Sequence, residues 1–260
     1  MEIDVRQASD ARVYNFLLGG TDHYRSDREA SRRLAEQAPN IRQLARLSRQ
    51  FLLRAVRYLA VDCRIGQFLD HGAGLPVREN VHQVARRAHK AARVVYIDND
   101  PVVVAHARMM LDEDRTLVLD ADMLDTDWVL SRCQRAGFLD RQAPVGVLFV
   151  SALHCIADDQ DPWRHVKDLM ERVPSGSCLV VSHLVSDDAV GREEASCLMQ
   201  QLTGHPWAVR SPAEVDRFFD GLRPVGGPIG DVARWKPAPG LKLKLAELPW
   251  IAYGGVARKP

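Results

Sequence analysis

The stretch Phe68-Leu69-Asp70-His71-Gly72-Ala73-Gly74-Leu75-Pro76 decides the fold. A short apolar run ends in an acid, two glycines spaced by one residue follow, and Pro76 suits the first turn of a helix. The glycines let the backbone bend sharply and let a ligand approach where a Cβ would stand in the way. The unit reads as strand, turn and helix, with the acid at the carboxyl end of the strand.

Around this unit, apolar runs at 65–70, 93–98, 116–119, 145–151 and 178–183 alternate with amphipathic stretches at 76–90, 101–113, 125–136 and 160–173. Runs without strict alternation suit parallel strands buried on both faces, and the β-α-β rhythm requires right-handed crossovers. The expected architecture is a doubly wound α/β sheet. Helical segments at 187–203 and 212–222 follow, then a stretch rich in glycine and proline. A final strand is expected at 250–257, the irregular 234–249 segment joining a pair of late strands.

Toward the N-terminus the chain reads as three helices. Ser9 can cap the first, which runs to Leu18 and stops at Gly19-Gly20, and Asp27 can cap a second running to Gln37. A third, at 41–60, places Ile41, Leu44, Leu47, Phe51, Leu52, Ala55, Val56 and Leu59 on one face. Residues 1–60 thus form a helical extension or lid, and 61–260 the main domain.

Composition narrows the function. The 260 residues carry 35 Lys+Arg against 34 Asp+Glu, a net charge of +1, which argues against a surface built to hold nucleic acid or anionic lipid. Residues 1–60 hold eleven arginines and seven acids, a pattern expected of solvated helix faces. The opening segment lacks the apolar core of an export signal, and apolar runs such as Val147 to Val150 fall far below the ~18 residues of a membrane span. Five cysteines at 63, 133, 155, 178 and 197 form no C-x-x-C pair, so reduced thiols in a cytoplasmic protein are expected. The histidines show no H-x-x-x-H or H-E-x-x-H pattern, and no metal is expected.

In an open parallel sheet the ligand lies beyond the carboxyl ends of the strands. Asp70 there can pair with an ammonium. Asp98, at the end of the second strand, can accept from both ribose hydroxyls, and Asp122 from an adenine amino group while Met123 packs on the ring. A nicotinamide dinucleotide site would use G-x-G-x-x-G, but the third glycine position is Val77, which weakens an NAD-dependent oxidoreductase as the alternative.

The chain resembles the class I S-adenosylmethionine-dependent methyltransferases, and more narrowly a bacterial, largely actinomycete, methyltransferase-like family long catalogued as a domain of unknown function. The resemblance rests on Ala11-Arg12-Val13-Tyr14-Asn15-Phe16-Leu17-Leu18-Gly19-Gly20 with Asp22 and Asp27-Arg28, on Phe68-Leu69-Asp70 with Gly72, Gly74-Leu75-Pro76 and Asn80-Val81-His82, and on Val94 to Pro101. It continues through Leu153-His154 to Tyr253-Gly254-Gly255-Val256-Ala257-Arg258-Lys259. It implies a seven-stranded, Rossmann-like sheet with its last strand antiparallel and S-adenosylmethionine across the ends of strands one to four. By position, Asp70, Gly72 and Gly74 would hold the methionine end, Asp98 with Asn99 the ribose, and Asp122 with Met123 the adenine. Ser151 and Leu153 would line the methyl-transfer chamber. His71 and Ala73 stand where the family's loop has an apolar residue and a threonine, and Cys155 and Ala157 where it has an aromatic and a proline.

Methyl transfer from a sulfonium needs positioning and exclusion of water more than a dedicated nucleophile. An acceptor must still lose a proton, and His154 is the first candidate base. Tyr14, Asp22, His23 and Tyr24 flank Gly19-Gly20, a combination suited to a hinged lid, with Tyr24 as a second catalytic candidate and Tyr14 and Gly20 against the cofactor. Arg46 or Arg49 can clamp a carboxylate. The expected function is methyl transfer to a small molecule, with non-catalytic sensing of the cofactor or its demethylated product as the rival.

Overall fold

A computed structural model describes residues 4–110, 114–237 and 249–260. Strand β1 (Gln67–His71) is buried at every position and sits between β2 (Arg93–Asp98) and β4 (Gly146–Val150), both parallel to it. Outside β2 lies β3 (Thr116–Asp120), and outside β4 lies β5 (Cys178–Ser186), again parallel. Strand β8 (Trp250–Arg258) then runs antiparallel along the whole of β5.

The sheet differs from the seven strands expected: among the described residues it has eight, in the order β3-β2-β1-β4-β5-β8-β6, with β7 also on β8. The extra strand is a break in the edge. Strands β6 (Arg223–Pro224) and β7 (Gly230–Asp231) have two residues each and both pair antiparallel with β8. Pro224 and Pro228 carry no N–H for a ladder, and Gly226 turns through φ +77°, so the edge leaves β8 and returns.

Between the strands run α4 (Val81–Ala88), α5 (Pro101–Met110), α6 (Thr126–Arg135) and α7 (Pro162–Arg172), followed by α8 (Ala189–Thr203) and α9 (Pro212–Asp216). Alternate strand residues feed two cores. Phe68, Val94, Tyr96, Leu148 and Val180 pack on one face of the sheet, and Leu69, Val95, Ile97, Val147, Phe149 and Val181 on the other. The expected helix at 101–113 is found over Pro101–Met110, the last three expected positions lying outside the described residues, as does most of the 234–249 segment.

The N-terminal helices are α1 (Asp10–Leu18), α2 (Arg25–Gln37) and α3 (Ile41–Val61). All eight apolar residues expected on one face of α3 are buried, in the same cluster as Phe68 and Leu148. Two cap expectations are corrected. Asp27 lies inside α2, where its carboxylate accepts from the Tyr24 and Ser9 N–H groups at 2.7 and 3.0 Å and from Arg12 Nε at 2.9 Å, an ion pair sealed from water. Ser9 precedes α1, but its hydroxyl donates to Asp100 Oδ2 at 2.5 Å instead of capping the helix. All five cysteines are free thiols. Among the described residues no helix is long and apolar enough to cross a membrane, and no cluster of His, Cys, Asp and Glu could hold a metal ion.

Candidate functional site

Beyond the carboxyl ends of β1 to β4, roofed by α1 and α3, lies a cavity of about 580 Å³. Its floor is the turn after β1. Gly72 and Gly74 take φ +64° and +67°, in the left-handed region. A Cβ on Gly72 would come within 2.7 Å of the Ala152 Cβ, whereas one on Gly74 would meet open space. The Gly72 and Ala73 N–H groups donate to Ile97 O at 2.9 and 3.2 Å, which ties the turn to β2.

Two carboxylates flank that turn. Asp98 Oδ2 accepts from Gly74 N–H at 2.9 Å and Oδ1 from Asp100 N–H at 3.0 Å. Burial nevertheless raises its pKa to about 6. Asp70 is buried and raised to about 7 by loss of water, an effect eased by Arg49 and reinforced by Asp98. Two hard-to-ionise carboxylates beside one cavity favour a ligand that brings positive charge and hydroxyl donors.

The structure brings Asp70, Gly72, Gly74, Asp98, Asn99, Asp122, Met123, Ser151, Tyr14 and His154 to this one cavity. Four expected residues lie elsewhere. Tyr24 is 41% exposed, with the Arg12 guanidinium 5.2 Å from its ring. Gly20 backs onto the Asn15 side chain and donates to Asn15 O at 2.9 Å. Leu153 is fully buried in the opposite core, and Arg46 lies on the exposed face of α3. Arg49, three residues on, is the arginine that reaches the wall: its Nη2 donates to Glu79 O, while its Nε is buried without a partner among the described residues.

His71 turns away from the cavity and stacks on Phe149 at 4.5 Å, burial lowering its pKa to about 3. His154 does line the cavity, in a short turn over Leu153–Cys155. Its ring lies 4.7 Å from that of Trp207 and edge-on to His183 at 5.5 Å, and burial together with the Arg210 charge lowers its pKa to about 3.

Ser151 follows β4 at φ +56°, a strained conformation for a residue with a Cβ. Its hydroxyl meets Ser48 Oγ at 2.8 Å, and Ser48 Oγ meets Ser182 Oγ at 2.5 Å. The Tyr14 hydroxyl donates to Ala45 O at 3.2 Å. Sequence reasoning missed Ser48, although it falls within the apolar stripe of α3 between Leu44 and Leu52, where a polar residue stands out. It also missed Asp10 and Trp207, whose Oδ1 and Nε1 are buried without a hydrogen-bond partner among the described residues, and Arg210, which no local pattern marks.

The profile of the S-adenosyl methyltransferase family matches residues 1–260. A DUF574-family protein from Streptomyces avermitilis has a crystal structure with TM-score 0.92 and 33% identity, the match covering 100% of both chains. A candidate methyltransferase from Thermobifida fusca follows with TM-score 0.90 and 31% identity, over 98% of this chain and 96% of that one. No curated protein matches the chain. The fold is that of the class I methyltransferases, the family's cofactor is S-adenosylmethionine, and the nicotinamide alternative falls. By its full-length profile and these two structures, the chain belongs to the S-adenosyl methyltransferase family.

Proposed function

We propose that the protein methylates a small-molecule acceptor inside this cavity, in the cytoplasm, where its free thiols stay reduced. The carrying observation is the pair of carboxylates on either side of the glycine turn, buried Asp70 and half-buried Asp98, with Arg49 near Asp70. The residues fit S-adenosylmethionine: at Gly74 the turn leaves open space where a Cβ would project, and Asp70 with Arg49 suits the two ends of a zwitterionic amino acid. Asp70 and Arg49 hold the amino-acid tail, Asp98 and Asn99 the ribose, and Asp122 with Met123 the adenine. When bound, the cofactor supplies a methyl group on a positively charged sulfur.

The chain contributes positioning and dryness. Helices α1 and α3 cover the site, and Ser151, held between the Ser48 hydroxyl and the strained end of β4, presents a fixed hydroxyl to the chamber. With its pKa lowered to about 3, His154 is neutral and a poor proton acceptor at pH 7. Asp10, raised to about 6 by burial against the pull of His205, Cys155 and Trp207, is better matched to take a proton from an acceptor. The weakness of His154 as a base is also what favours the second reading, cofactor binding without turnover.

Calorimetry with S-adenosylmethionine, S-adenosylhomocysteine and NAD tests the proposal. Binding of both adenosyl ligands and not NAD is expected, and NAD binding alone would overturn it. Adenosyl binding with no demethylated product across a broad acceptor panel would favour the sensor.

A further inference from the structure

The residues assigned to the cofactor occupy one side of the cavity. The rest of it lies between the helical extension and the β5–β8 edge, and its walls are aliphatic: Leu17 from α1, Leu34 from α2, Ile41 and Leu44 from α3, Leu184 from β5 and Ala252 from β8. These residues come from three helices and two strands, so the apolar compartment is a product of the tertiary fold. Hydrogen-bonding groups gather at one end of it, where Tyr14, Ser48 and Ser151 face the cavity.

Charge sharpens the picture. Six aspartates line the whole cavity, Asp4, Asp10, Asp70, Asp98, Asp100 and Asp122, against two arginines. Arg12 is already held by Asp27 and by Gln7 O at 2.7 Å, and Arg49 stands at the Asp70 end. An anionic acceptor lodged among the aliphatic walls would lose its water with no arginine beside it and with aspartates opposing its charge, a cost that those walls cannot offset.

We infer that the acceptor is a neutral, largely apolar molecule, its rings or chains lodged among Leu17, Leu34, Ile41, Leu44, Leu184 and Ala252 and its one nucleophilic hydroxyl turned to the Tyr14–Ser151 end. This rests on the proposed methyltransferase reading of the same cavity. A second cleft of about 320 Å³ on the outer side of the helices shares Leu17 and Ile41 with the chamber. Those two side chains therefore contribute to the walls of both clefts.

The test uses the whole protein saturated with S-adenosylhomocysteine and two probes, 2-naphthol and 2-naphthalenesulfonate, titrated by calorimetry. The naphthol should bind at least about thirtyfold more tightly than the sulfonate. Ile41→Trp and Ala252→Leu fill the chamber from opposite walls, and each should weaken naphthol at least about tenfold while S-adenosylhomocysteine affinity stays within about twofold. Equal binding of both probes, binding of neither, or naphthol affinity unchanged in a folded variant would overturn the inference. Failure of S-adenosylhomocysteine itself to bind would instead bring down the methyltransferase reading and this inference with it.

Discussion

Arg210 Nη1 lies 3.1 Å from His183 Nε2, while His183 Nδ1 lies 2.8 Å from Leu184 O. The guanidinium can only donate, so Nε2 accepts, Nδ1 carries the proton, and His183 is held neutral in one tautomer. The same guanidinium donates to Leu153 O and Ile156 O, both at 2.8 Å, and to Asp158 Oδ1 at 2.7 Å. Leu153 and Ile156 bracket the turn that carries His154, so Arg210 positions His154 without touching the cavity.

Arg210→Ala should therefore destabilise the protein by about 2–4 kcal/mol, since three buried acceptors lose their donor at a side chain only 1% exposed. Arg210→Lys should recover only part of that, because a point charge cannot reproduce a planar fork of donors. Urea unfolding of the two variants gives both numbers, and a wild-type midpoint for Arg210→Lys would remove the fork from the explanation.

Asp98→Ala removes the acceptor assigned to the ribose hydroxyls and also the partner of Gly74 N–H. Cofactor affinity should drop by about 1–3 kcal/mol, measured by calorimetry on a variant whose circular dichroism matches wild type. Unchanged affinity in that folded variant would refute the assignment.

Asp70 carries a pH signature. Its pKa is about 7 in the folded protein against an ordinary 3.8, so between those values the folded state holds a proton that the unfolded chain has lost. Stability is highest below pH 4 from this group and falls as pH rises toward 7, a slope that Asp70→Asn should flatten. An ammonium beside Asp70 favours the ionised form, so S-adenosylhomocysteine affinity should climb roughly fivefold to tenfold between pH 6 and 7.5, Asp98 adding in the same direction. Titrations in two buffers of different ionisation enthalpy should count the proton released.

The two glycines of the turn should respond differently to alanine. Gly74→Ala bears only the cost of a left-handed residue, roughly 1–2 kcal/mol, because nothing lies within 4 Å of its Cβ position. Gly72→Ala bears that cost and a 2.7 Å encounter with Ala152, so it should be the more destabilising of the pair by thermal unfolding. Equal losses would mean that the loop after β4 yields freely.

Local chemistry made much of this legible. The second strand was expected at 93–98 and is found at Arg93–Asp98, because an apolar run closed by an acid and a helix-starting proline states both of its ends. The acids Asp70, Asp98 and Asp122 could be placed at strand ends for the same reason, and a doubly wound sheet carries its strand ends to one rim. Tyr24 lies outside the cavity lining, because proximity to Gly19-Gly20 says nothing about which way a side chain faces once Arg12 and Asp27 pin the start of α2.

Apolar runs, turn residues and strand-end acids by themselves determined the α/β class, the parallel core and the row of carboxylates, since each depends on neighbours within a few positions. Only the tertiary structure decided that Arg49 and not Arg46 lines the cavity, that Ser48 meets Ser151 across 103 residues, and that Arg210 holds the His154 turn from 57 residues beyond Leu153. Those contacts join segments with no shared pattern, and only the packing of α1 and α3 onto the sheet brings their atoms within reach.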